Sequence, residues 1–205
     1  MPAIPPGFHP DQHPEQLSEC RRCPLWEGAT QPVPGLGPRH APLMVVGEQP
    51  GDQEDLQGKP FVGPAGALLD DALMEAEIDR KQVYITNAVK HFKWEPRGKR
   101  RMHKTPAQRE VDACRYWIER EFATHEPQVV IALGATALKS ILQKSTAKLQ
   151  ASMDQAIDHD GRRIIATFHP SYALRAPDAD TRQRAYRAIV DAFRQARELI
   201  GHSKD

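Results

Sequence analysis

The sequence predicts an α/β fold in which a four-stranded parallel sheet is covered by helices on both faces, and three observations predict it. Four short apolar runs, at 43–46, 83–86, 129–133 and 163–167, have the length and near-continuous hydrophobicity of strands buried on both sides. Segments with helical spacing alternate with them, which argues for a parallel sheet with helices on each side. A chain of 205 residues, 40% of them hydrophobic, is long enough to bury one substantial core, so 1–205 reads as a single domain.

In chain order, residues 1–40 are proline-rich and read as an arm laid over the domain. Leu43-Met-Val-Val46 is the first strand, and the spacing of Leu68, Leu69, Ala72 and Leu73 predicts a helix over 65–77. Val83-Tyr-Ile-Thr86 is the second strand. A basic loop follows, and Pro106 then opens a helix to about 122, proline being favoured in a first turn. Val129-Val-Ile-Ala-Leu133 leads into a helix over 135–142, and Arg163-Ile-Ile-Ala-Thr167 is the fourth strand. In the last helix, 181–199, Ala185, Ile189, Phe193 and Ala196 form a core-facing stripe.

Lys and Arg number 28 against 27 Asp and Glu, so bulk charge announces no nucleic-acid partner, and any such affinity must come from local patches. No apolar run approaches bilayer length, and the opening MPAIPPGFHPDQHPEQ is too polar for a signal peptide. A cytoplasmic protein is expected, and a monomer, because no unpaired apolar face stands out. Of the three cysteines, Cys20-Arg-Arg-Cys23 has ligand spacing and Cys114 supplies a third thiolate. Metal ligation would tie the arm to the helix around Cys114.

Ligands of open parallel sheets bind beyond the carboxyl ends of the strands. The first strand runs into Gly47-Glu48-Gln49-Pro50-Gly51-Asp52, the second ends in Asn87, the third in Gly134-Ala-Thr136 and the fourth in His169-Pro170-Ser171. Glu48, Asn87 and His169 therefore converge on one crevice. An amide matches the edge of a pyrimidine, Phe61 offers a flat face for stacking, and a carboxylate with an imidazole can serve N-glycosidic cleavage.

Gly47-Glu-Gln-Pro-Gly51, Pro60-Phe-Val-Gly-Pro64, Asn87-Ala-Val-Lys90 and His169-Pro-Ser171 resemble, in order, the signature blocks of the family 4 uracil-DNA glycosylases. The resemblance implies a three-layer α/β/α domain. It also implies that Phe61 stacks on flipped uracil, Asn87 reads its edge and His169 contacts its carbonyl, with Gln49 in the uracil-binding loop. Where the family carries a fourth cysteine ligand, this chain has His91. The implied set is Cys20, Cys23, His91 and Cys114 around a 4Fe-4S cluster, with a structural zinc as the alternative by donor type.

Lys99-Arg-Arg-Met-His103 resembles the insertion of a divergent branch of that family, UdgX, whose members stay covalently attached to uracil-containing DNA. Gln49 and His91 are shared marks of the branch. The resemblance implies that His103, oriented by Glu48 with Asp55, attacks the sugar C1′. Lys99, Arg100, Arg101 and Lys104 are then candidate phosphate contacts, as are Ser171 and Arg175 beside the fourth strand. The expected partner is uracil-containing DNA, single-stranded DNA being preferred or tolerated. The alternatives are a multiple-turnover glycosylase and a non-catalytic, metal-containing nucleic-acid binding module.

Overall fold

A computed structural model describes residues 4–201 apart from residue 154. The chain runs β1 (Leu43–Gly47), α1 (Asp52–Gln57), α2 (Pro64–Glu75), β2 (Val83–Asn87), β3 (Trp94–Arg97), β4 (Arg100–His103), α3 (Gln108–His125), β5 (Val129–Leu133), α4 (Ala135–Leu142), β6 (Ile157–His159), β7 (Arg162–Thr167), α5 (Pro170–Leu174) and α6 (Ala179–Gly201).

The main sheet has the order β2-β1-β5-β7-β6. Its first four strands are the four expected ones and are parallel. The fifth corrects the expected four-stranded sheet: β6 pairs antiparallel with β7 across a tight Asp160-Gly161 turn. Both turn residues have positive φ, 48° and 74°, which is the demand of a two-residue hairpin and the reason for an Asp-Gly pair there.

Alternation along each strand explains the continuous apolar runs. Leu43 and Val45 face a core shared with Leu69 and Leu73 of α2 and Ile189 and Phe193 of α6. Met44 and Val46 face the opposite core, with Ile118 of α3 and Leu138 and Ile141 of α4. Helices thus cover both faces of the sheet. Because β1 lies between β2 and β5, the connections leaving β1 and β5 diverge at their carboxyl ends and open a crevice.

The basic segment expected as a loop is instead an antiparallel hairpin, β3 with β4, in which Trp94 pairs with His103 and Arg97 with Arg100. Gly98, with φ of 59°, takes the first of its two turn positions. The arm is bound to the domain over residues 28–36. Leu36 bridges to Ile85, Val33 N–H donates to the Lys90 carbonyl at 2.8 Å, and Trp94 Nε1–H donates to the Gly28 carbonyl at 2.6 Å. Among the described residues no helix is long and apolar enough to cross a membrane.

Candidate active site

A cleft of about 1000 Å³ opens where the strands end, and Glu48, Gln49, Phe61, Asn87, His103, His169, Ser171 and Arg175 all line it. Five separate pieces of sequence therefore meet in one volume, as the strand-end argument requires.

Asn87 forms the floor. Its backbone belongs to the β1–β2 ladder, opposite Gly47, and its side chain is buried with neither Nδ2 nor Oδ1 hydrogen-bonded within the protein. An unmade pair of this kind costs roughly 1–3 kcal/mol per group, so a folded protein retains it where a ligand completes it. Gly47 makes room for the amide: a Cβ there would lie 2.3 Å from Asn87 Oδ1 and 2.7 Å from the Phe61 ring. Phe61 itself adopts a left-handed φ of 55°, a strained conformation for an aromatic residue, and its ring lies 5.8 Å from that of His169 at 30°.

His169 caps α5. The Ser171 N–H donates to its Nδ1 at 3.2 Å, and Ser171 Oγ lies 2.8 Å from the same nitrogen. A backbone N–H can only donate, so Nδ1 is the acceptor and the ring proton sits on Nε2. Burial, opposed by Glu48 and reinforced by Arg175, lowers the imidazole from 6.5 to about 4. At neutral pH His169 is thus an uncharged Nε2–H donor.

Glu48 follows β1 and bridges the walls. Its Oε2 accepts from Thr136 Oγ1 at 2.6 Å, and its Oε1 lies 3.2 Å from His103 Nε2 at the end of β4. Burial alone would raise the carboxyl, but the hydrogen bonds from His103 and Thr136 outweigh it and hold Glu48 below the usual range. Glu48 is a carboxylate aligned with an exposed imidazole.

Three expected residues spend their side chains on contacts within the protein. Gln49 accepts the Lys93 N–H at 3.0 Å and donates to the Lys93 and Lys104 carbonyls at 3.1 and 3.3 Å, which clamps the base of the hairpin. Arg101 donates to Asp52 and Asp55, each at 2.6 Å, rather than standing free for phosphate. Asp55 is fully buried between Arg101 and the Thr30 N–H and does not hydrogen-bond His103. Lys99 and Arg100 are exposed at the hairpin tip, and Lys104 pairs with Glu95 at 2.9 Å on the surface. Thr136, which the sequence places at the end of the third strand without a role, is the partner that holds Glu48. Lys148 to Ala151, for which the sequence suggests no part in the site, also line the cleft.

Away from the cleft, Cys20 and Cys23 of the arm and Cys114 of α3 are buried. Burial, together with the neighbouring Cys20 and Glu110, raises the Cys23 thiol to about 11, and burial also pushes Cys114 up. Such thiols ionise only with a cation at hand. N–H groups already point at two sulfurs: Lys90 N donates to Cys114 Sγ and Trp117 Nε1 to Cys20 Sγ, both at 3.2 Å. Burial and Arg21 lower His91 to about 4, the neutral form a metal ligand needs. Among the described residues no three His, Cys, Asp or Glu side chains converge tightly enough to hold a single metal ion. The donor types nevertheless suit a cluster, whose sulfurs commonly receive N–H bonds.

Comparison with known proteins agrees with this geometry. Residues 34–194 match the family model of the uracil DNA glycosylase superfamily. The chain is 36% identical to the type-4 uracil-DNA glycosylase of Thermotoga maritima over 91% of this chain and 92% of that protein. It is 33% identical to the type-4 enzyme of Sulfurisphaera tokodaii, over 90% and 82% respectively. It is also 30% identical to the type-5 enzyme of Thermus thermophilus, over 84% and 83%. With a parallel sheet, a strand-end cleft and a family match spanning both, the chain belongs to the uracil DNA glycosylase superfamily.

Proposed function

We propose that this protein excises uracil from DNA and is then captured covalently on the sugar through His103, as a UdgX-like single-turnover glycosylase. The type-4 and type-5 uracil-DNA glycosylases it resembles support the excision half. The observation that carries the covalent half is the 3.2 Å contact between His103 Nε2 and Glu48 Oε1, inside the cleft that holds the unpartnered Asn87 amide.

Uracil flipped into the cleft stacks on Phe61 and meets the Asn87 amide. The C1′–N1 bond breaks with its electron pair leaving on uracil, and the His169 Nε2–H donor favours that anion, while C1′ gains oxocarbenium character. The imidazole nitrogen carrying the lone pair bonds to C1′. The proton on the other nitrogen passes to Glu48, and the released uracil anion takes its proton from solvent. Exposed Lys99, Arg100 and Arg175 are the residues available to phosphates, with single-stranded DNA the favoured substrate. Cys20, Cys23, His91 and Cys114 would hold a 4Fe-4S cluster with a structural role, and measured iron and sulfide against zinc decides its identity.

The test is a denaturing gel of purified protein mixed with single-stranded DNA carrying one uracil. A stable shifted band is expected, absent in His103→Ala, which retains some release of free uracil. A shifted band undiminished in that variant removes His103 as nucleophile. Many abasic products per protein molecule without a band would instead identify a multiple-turnover enzyme.

A further inference from the structure

We propose that Lys90 and Glu121 are positioning residues for base recognition, a buried ion pair whose ammonium grips the Asn87 backbone carbonyl and so aims the Asn87 amide into the cleft. The inference rests on the excision reading above and extends it to residues outside the cleft.

Lys90 is fully buried, and its Nζ donates to the Asn87 carbonyl at 2.9 Å, to Thr86 Oγ1 at 2.6 Å and to the two Glu121 oxygens at 2.8 and 2.7 Å. Glu121, on α3, also accepts from Thr86 Oγ1 at 3.1 Å and Tyr84 OH at 3.2 Å. The Lys90 backbone is fixed as well, its N–H on Cys114 Sγ and its carbonyl under Val33 N–H. One residue thus joins the end of β2 to α3, the arm and the cysteine site.

Stability alone does not call for this arrangement. Stripping an ammonium and a carboxylate of water is costly, and apolar side chains of similar volume commonly serve a core as well or better. What the pair supplies is direction. The Asn87 side chain has no partner of its own within the protein to hold it. Its aim is therefore set through its backbone, where the β1–β2 ladder fixes one side and the Lys90 ammonium holds the carbonyl on the other.

The experiment follows uracil release under single-turnover conditions, with protein in excess over a uracil-containing oligonucleotide, and measures inhibition by free uracil alongside. The main variant joins Lys90→Met with Glu121→Leu, which removes both charges and keeps the volume. It is expected to melt cooperatively, to lose about 30-fold in maximal rate and about 10-fold in inhibition by free uracil, and to keep its half-saturating protein concentration within about 3-fold. A purely structural role would move the melting temperature and leave uracil inhibition untouched. A folded double variant with wild-type rate and inhibition overturns the assignment. If the double variant does not fold, Glu121→Gln decides: a loss of about 3-fold in both readouts supports the proposal, and wild-type values overturn it. Wild-type protein that releases no uracil would overturn the excision reading itself, an outcome distinct from variants that match an active wild type.

Discussion

Asn87 and His103 face one cleft from walls of opposite construction. Asn87 stands at the end of a strand with both faces covered, beside Gly47 and over the buried Lys90, with no slack around it. His103 ends a two-stranded hairpin that is largely exposed and belongs to a separate sheet. The hairpin is held by side-chain ties: Gln49 at its base, Arg101 to Asp52 and Asp55, and Trp94 to Gly28. Reading a base needs sub-ångström placement, which the core supplies. The proposed attack on the sugar carbon instead places its group at the end of a hairpin that side chains alone tie to the domain.

Breaking the rigid wall should have the largest effect. Gly47→Ala puts a methyl group 2.3 Å from Asn87 Oδ1, and displacing that amide by even 1 Å is expected to lower uracil release about 100-fold in a single-turnover assay. Release within a few-fold of wild type would show that the amide is not held as tightly as its packing implies.

Loosening the tethered wall should separate the two chemical halves. Arg101→Ala removes the contacts to Asp52 and Asp55, and adduct formation is expected to fall about 10-fold while uracil release stays within about 3-fold. Equal losses on a denaturing gel and in the release assay would mean that the hairpin also shapes the base pocket.

The smallest effect concerns acid. Unfolded His169 takes up a proton near 6.5 and folded His169 only near 4, so the unfolded state binds more protons in that window and stability falls as pH drops through it. Moving from pH 7 to 5.5 is expected to cost about 1 kcal/mol through this residue, or roughly 3 °C of melting temperature. His169→Asn should remove that part of the loss, and an identical drop in both proteins would contradict the buried, neutral assignment.

The two walls also differed in how far the sequence revealed them. Strands buried on both faces announce themselves as unbroken apolar runs, and Asn87 and His169 were found because they follow such runs directly. The hairpin carries Pro96, Gly98 and a row of charges, with little burial to impose alternation, so nothing in its composition marks two strands. Gln49 bonds backbone groups 44 and 55 residues away, and a contact with backbone leaves no trace in the identity of its partner. Arg101 reads as a DNA contact from its charge and its place after Asn87, whereas the hairpin turns it toward Asp52 and Asp55 of α1. β6 was missed because three residues are too few to show a period, although its Asp-Gly turn was legible.

The arm adds a consequence for how the molecule breathes. Residues 28–36 touch the hairpin through Trp94, α1 through Asp55, the sheet edge through Ile85 and, through Lys90, the segment after β2 that bonds Cys114. Peeling that strip away would unlatch the support of His103 and of the Lys90 backbone beside Cys114 in the same motion. The amides of Thr30, Val33 and Leu36 should therefore exchange with solvent together, as one cooperative unit, and a protease nick in this strip would disable hairpin and cysteine site at a single stroke.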